Sequence, residues 1–267
     1  MPVPTAPDLH RNMRPAQAFV DLATRGLSAV EDGLDRVLHR DQAEDVHALR
    51  VALRHLRAVA WAFGPIQPPR LKARWKRALH DVADAAGDVR DWDVFVTETL
   101  APALADQPGD TVLVALIETA QARRAAAREA MVTRLSQYRQ APLPTLHRDL
   151  LHLAGRKSRG KLGAFARKRI RKAHKRVRDL SRIARDGRTA HVHKLRIGNK
   201  RLRYAIEALS DVLPKRYRKR LRKQLVARQG ELGAVIDASV ARRLMAECLG
   251  VSTADSITEA TANPTPP

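Results

Sequence analysis

Cysteine is almost absent: Cys248 is the single one in 267 residues. That excludes an internal disulfide and a cysteine-rich metal site, and it fits a reducing compartment. Aromatic residues are scarce at 4%, with three Trp, three Tyr and four Phe, which leaves few platforms for stacking nucleotide bases. No apolar run reaches the roughly 20 residues that cross a bilayer. The opening stretch MPVPTAPDLHRNMRP lacks the apolar segment of a secretory signal, so the expected location is cytoplasmic, with no membrane partner. A glycine-rich phosphate loop followed by Lys-Ser or Lys-Thr is missing too.

Acidic side chains are also in deficit. Against 50 Lys plus Arg stand 28 Asp plus Glu, giving a formal net charge of +22 and a pI near 11.3. A field of this size attracts polyanions and works against compaction unless a partner compensates it. The deficit is confined to one half: residues 1 to 150 hold 20 basic and 19 acidic side chains, residues 151 to 267 hold 30 and 9.

Hydrophobic residues make up 44% of the chain, enough for a substantial core. They recur at helical spacing in segments rich in Ala, Leu and Arg, without sustained strand-like alternation, so the expected fold class is all-α. The spacing predicts helices over Pro15 to His39, Asp41 to Phe63, Pro69 to Ala86, Asp91 to Leu100, Thr111 to Arg139, Leu162 to Ala184, Thr189 to Val212, Pro214 to Leu232 and Asp237 to Leu249, with a short piece near Leu146 to Ala154. Pro15, Pro69 and Pro214 sit near starts, where a missing amide hydrogen costs little. Residues 1 to 14 and 251 to 267 read as flexible tails, and Gly155 to Lys161 as a basic linker.

Residues 16 to 93 reappear at 162 to 239 with a constant offset of 146. The alignment pairs Phe19 with Phe165, His47 with His193, Arg50 with Arg196, Arg54 with Lys200, Arg57 with Arg203, Gly87 with Gly233 and Asp91 with Asp237. Two copies of one structural unit follow, and the function is expected where they meet.

Within the second predicted helix, Val46, Leu49, Leu53, Leu56, Ala60 and Phe63 form a core seam. His47, Arg50, Arg54 and Arg57 keep the same spacing one residue later, so they lie in a stripe rotated by about 100° from it. The second copy repeats this with His193, Arg196, Lys200 and Arg203. The third helix adds Arg70, Arg74 and Arg77 in one copy and Arg216, Arg220 and Lys223 in the other. Arg169, Lys172 and Arg176 share a face of the first helix of the second copy, where the first copy has Ala23, Gly26 and Val30. Solvated faces normally mix signs, whereas these rows carry no acid and keep their spacing in both copies. The planar donor fork of Arg suits phosphate oxygens.

The stretch AAGDVRDWDVF around Gly87 reads as a helix stop followed by an Asp N-cap. A structural role is favoured there over metal binding, because Asp88, Asp91 and Asp93 lack the order of a calcium loop and its terminal Glu.

The sequence H-x-x-R-x-x-x-R-x-x-R at His47 to Arg57, G-x-x-R-D-x-D-V at Gly87 to Val94 and H-x-x-R-x-x-x-K-R-L-R-Y at His193 to Tyr204 resembles the CHAD family, the conserved histidine α-helical domain, over about residues 15 to 250. The resemblance implies two four-helix bundles, about 15 to 154 and 161 to 250, related by pseudo-twofold symmetry. It also implies a basic surface or pore between them that binds inorganic polyphosphate, and association with polyphosphate granules. The motif positions fall on His47, Arg50, Arg54 and Arg57, and on His193, Arg196, Lys200 and Arg203. Ile236 in place of an Arg90 equivalent and Ser239 in place of an Asp93 equivalent depart from a symmetric pattern.

The expected function is therefore non-catalytic polyphosphate binding without a cofactor or metal. Nucleic-acid binding is the second reading, since the same charge permits it. A phosphate-transferring or hydrolysing enzyme is the third, disfavoured because the stripes hold no base, nucleophile or metal-binding carboxylate.

Overall fold

The computed structural model describes residues 9–155, 160–215 and 238–251. In order these form α1 (Pro15–His39), α2 (Ala43–Ala62), α3 (Pro69–Val94), a π turn (Phe95–Leu100), α4 (Ala101–Asp106), α5 (Thr111–Gln140), α6 (Pro142–Ala154), α7 (Leu162–Ile183), α8 (Thr189–Ala208) and α9, helical over 238–248. Short 3-10 turns cover Gly64–Ile66, Ala184–Asp186 and Ser210–Val212. The fold is all-α, with no strand among the described residues.

The seam read on the second helix is buried in α2 at Val46, Leu49, Leu53 and Leu56, and α1 packs its own face of Phe19, Ala23, Leu27, Val30, Leu34 and Val37. Their packing is close: a Cβ on Gly33 would lie 3.2 Å from the Leu49 backbone Cα, and one on Gly26 would lie 2.8 Å from Leu56 Cδ1. α2 contacts α1, α3 and α8, and α7 contacts α8 and α1.

Helix boundaries carry the 146-residue offset. α2 and α8 each contain 20 residues starting at positions 43 and 189, and the 3-10 turns that follow start at 64 and 210. The buried residues of both copies form one contiguous cluster rather than separate cores. An aromatic chain crosses between them: Phe63 lies 5.6 Å from Phe19 and stacks at 5.3 Å on Phe165, the repeat equivalent of Phe19. A second cluster of Trp92, Phe95, Leu100, Leu116, Ala120 and Leu244 joins α9 to the π turn and α5.

Two expectations are corrected. No helix stop occurs at Gly87, because α3 runs unbroken through it to Val94. A glycine inside a helix costs only about 1 kcal/mol relative to Ala, and the seam of Val82, Ala86, Val89 and Trp92, buried on both sides of it, outweighs that. The segment 91 to 100 is accordingly no separate N-capped helix. Second, residues 9 to 14 are packed rather than loose: Leu9 and Met13 are buried, and the carbonyls of Met13 and Arg11 accept from the amides of Leu162 and Gly163 at 2.8 and 3.0 Å. They satisfy first-turn donors of α7 that have no partner inside the helix.

Several acids of the first half are engaged in internal pairs. Arg124 of α5 donates to Asp93 at 2.6 Å and to Asp41 at 2.7 and 3.1 Å, and Arg128 reaches Asp41 at 3.2 Å. The Arg124 hydrogen bond holds the Asp41 carboxyl below its ordinary pKa.

Candidate polyanion-binding site

α2 places His47, Arg50 and Arg54 along one edge, and all three line a cavity of about 460 Å³. Its other walls come from the end of α3 (Arg90, Asp91, Val94), the π turn (Phe95, Glu98, Thr99) and α9 (Ala238, Val240, Ala241). The extra residue of a π turn swings the chain out of register, which brings Glu98 within 3.9 Å of Arg90. Arg243 of α9 reaches Asp91 at 3.4 Å. The acids at this wall thus face arginines, and His47 and Arg54 are exposed at the rim.

Arg50 is half-buried, and its Nη1 lies 3.3 Å from the Ala86 carbonyl and 3.4 Å from that of Ala83. A Cβ on Gly87 would stand 3.4 Å from the same Nη1, at van der Waals contact. Burial holds Arg50 below its ordinary pKa; Asp91 opposes this, while Arg90, Arg54 and Arg57 add to it.

α2 and α8 cross further along. Arg54 and Arg203 lie over the Tyr204 ring at 5.1 and 4.6 Å, within cation–π range, and His55 meets that ring edge-on at 5.3 Å. Arg203 Nη2 donates to Tyr204 Oη at 2.9 Å, and its Nε lies 3.5 Å from Glu207. Burial lowers the His55 pKa, opposed by Glu207 and reinforced by Arg54 and Arg203. On the far side of the crossing, burial first and the charge of Arg57 second lower Arg201, and burial first and the charge of Arg201 second lower Arg169. Arg57, Arg201 and Arg169, from three helices, therefore share one field. His55 and Arg201 are repeat equivalents, as are Arg57 and Arg203, so each copy contributes the same two positions to the crossing.

Arg169 is held by the C-terminus of α2. Its Nε and Nη2 donate to the carbonyls of Ala62 and Trp61 at 3.0 and 2.7 Å, and its guanidinium stacks 4.0 Å over the Trp61 ring. The last carbonyls of a helix lack internal donors and carry the negative end of the dipole.

Not every cation read from the sequence joins these groups. Arg74 points to α6, where it forms a two-pronged pair with buried Asp149, which also accepts from Trp75 Nε1 at 3.0 Å. Arg70 and Arg77 are exposed on α3 and do not line the cavity. His193 is exposed, Arg196 and Lys200 are half-buried, and none of the three lines the cavity. Lys172 and Arg176 are exposed on α7. Arg216, Arg220 and Lys223, like Gly233 and Asp237, lie outside the described residues. Among the described residues no three His, Cys, Asp or Glu side chains are placed to hold a metal ion, and no helix is long and apolar enough to cross a membrane.

Sequence reasoning left Arg90, Arg201, His55 and Tyr204 out of the site. Arg201 and His55 carried a usable signal, because they are repeat equivalents directly after Lys200 and Arg54.

The model of the CHAD domain family matches residues 21–246. Among solved structures, the chain is similar to the crystal structure of the CHAD domain from the plant Ricinus communis, at 26% identity and a TM-score of 0.79, over 96% of this chain and 86% of that one. No curated protein matches. The chain belongs to the CHAD domain family.

Proposed function

We propose that this CHAD-domain protein binds inorganic polyphosphate without cleaving it, through the cations that meet where α2 crosses α8 and along the α2 edge of the cavity. The observation that carries the reading is the junction of Arg57, Arg201 and Arg169, where three guanidiniums from three helices share one field, half-buried at Arg169 and exposed at Arg57 and Arg201, with no carboxylate paired to them among the described residues. Arg169 is held there by carbonyl and ring contacts that leave its charge intact. A phosphate polymer relieves the repulsion, and release of its counterions makes binding strongly salt-dependent. The carboxylates at the cavity wall, Asp91 and Glu98, face Arg243 and Arg90, and Glu207 lies 3.5 Å from Arg203, an arrangement that offers no unengaged base to a hydrolytic reaction. Association with polyphosphate granules belongs to the same reading.

Replacing Arg50, Arg54, Arg196 and Lys200 together with Ala tests it. Affinity for long-chain polyphosphate should fall by at least tenfold, with a shallower dependence on salt. Unchanged affinity removes the stripes from the site. Displacement of polyphosphate by DNA or RNA at equal phosphate concentration supports nucleic acid instead, and phosphate released from the polymer by pure protein with magnesium makes the protein an enzyme.

A further inference from the structure

The outward face of α7 plays no part in the contacts described above. Arg167, Lys168, Arg171, Lys172, Lys175 and Arg176 are all exposed, and none of them forms an ion pair among the described residues. The helix has one acid, half-buried Asp179, which lies 3.7 Å from Arg182. Residues three and four apart share a helix face, so these cations make one continuous ribbon. Between Arg169 and Arg182 the axis rises about 20 Å.

The ribbon is not part of the repeat. At the equivalent positions α1 carries Asp21, Leu22, Arg25, Gly26, Ala29 and Val30, a set with one acid and one base in which only Arg25 and Ala29 are exposed and Val30 is fully buried. The duplicated stripe therefore exists without it in one copy, and the ribbon adds a property to the other. Its inner edge starts at Arg169, beside Arg201 and the end of α2. Lys172 and Arg176 follow at three and seven residues, on the flank that Arg169 occupies. Between Arg167 and Arg176 the bulky apolar Ile170 is buried and the only ring, His174, is half-buried, so the exposed surface offers nothing for membrane insertion and little for base stacking. A linear polymer with a charge on every unit fits such a track.

We propose that α7 extends the polyanion site to one side of the α2–α8 junction: a phosphate polymer long enough to pass Arg169 continues along Lys172 and Arg176, and affinity therefore depends on polymer length. This rests on the polyphosphate reading given above. The test compares the wild-type chain with a variant carrying Lys168→Gln, Lys172→Gln, Lys175→Gln and Arg176→Gln, after circular dichroism and melting show the helix content and fold retained. Each is titrated with a chain of about 100 phosphates over a salt series, and a chain of about five phosphates is run as a competitor of it. Losing four contacts should lower the log–log salt slope for the long chain by about 3, at roughly 0.7 per contact for a single strand. The variant should bind the long chain at least tenfold more weakly, and the short chain within twofold of wild type. Equal losses for both lengths, or none for the long chain, overturn the extension. Loss of duplex DNA binding with long-chain polyphosphate binding intact overturns it as well and assigns the ribbon to nucleic acid. If the wild-type chain binds neither polymer length, the polyphosphate reading itself fails and the extension falls with it.

Discussion

Replacing Arg74 with Ala should weaken the fold and leave polyanion binding intact. Arg74 shares a sequence row with Arg70 and Arg77, yet its Nε donates to Asp149 Oδ2 at 2.9 Å and its Nη2 pairs with Oδ1. The Asp149 side chain is 7% exposed, and its remaining donor is the indole of Trp75, itself 1% exposed. Truncating the arginine strands a buried carboxylate on one neutral donor, and breaking such a pair costs roughly 3–5 kcal/mol when both members are buried. The Arg74 side chain is 42% exposed, so solvent already screens it and water can follow its removal, which reduces the loss to about 2–3 kcal/mol. In a domain of this size that is a drop in Tm of about 4–12 °C. Urea unfolding measures the free energy, and a polyphosphate titration beside Arg54→Ala measures the binding. Adding Asp149→Asn to Arg74→Ala removes the stranded charge, keeps an acceptor for Trp75 and should recover much of the loss. A stability change below about 0.5 kcal/mol, or a loss of affinity equal to that of Arg54→Ala, refutes the structural assignment.

Two glycines on helices should respond oppositely to a methyl group. Gly87→Ala gains helix propensity where a Cβ meets only Arg50 Nη1 at 3.4 Å, so urea unfolding should show about 0.5–1 kcal/mol of added stability; a large loss would restore a non-helical role for Gly87. Gly33→Ala pushes against the Leu49 backbone at 3.2 Å and should lose about 1–3 kcal/mol, while an unchanged midpoint would mean that α1 and α2 can separate freely. For pH, the folded-state pKa of His55 is depressed by burial. Its contribution to stability is present above the unfolded value near about 6.5 and is lost as pH falls through the folded value. The urea midpoint should drop between pH 7.5 and 5.5, and His55→Phe should flatten that slope; an equal slope in the variant assigns it elsewhere.

What could be read from the sequence was whatever depends on residues close along it. α1 spans Pro15–His39, where proline and periodicity place it, and the seam of α2 follows from its spacing. The offset of 146 carried over to helix boundaries because equivalent sequences meet equivalent neighbours. Gly87 misled because glycine and aspartate are local punctuation, whereas continuation of α3 is decided by Val89 and Trp92 burying against other elements. The division of labour among the arginines was equally out of reach. Arg74 is claimed by Asp149, 75 residues away, and Arg169 by carbonyls more than 100 residues away, and nothing in the local spacing of a cationic row distinguishes such positions from Lys172 or Arg176.

The kind of acceptor each arginine finds explains why the charge imbalance survives folding. Arg74 and Arg124 meet carboxylates, so their charges are cancelled close to source. Arg50 and Arg169 meet carbonyls, which satisfy the donors and fix the side chains without cancelling the charge. At an effective dielectric of about 20, one such guanidinium about 6 Å from a phosphate charge is worth roughly 3 kcal/mol, and the side-chain entropy of placing it is already spent on folding. A freely solvated arginine supplies the same charge but must be ordered when ligand arrives. A fold that anchors cations on helix carbonyls at the α2–α7–α8 junction thus keeps a positive site standing before any polymer is bound. The inner flank of α7 supplies no acid there from Arg169 to Arg176, whereas on α8 Glu207 lies 3.5 Å from Arg203 and offsets part of its charge.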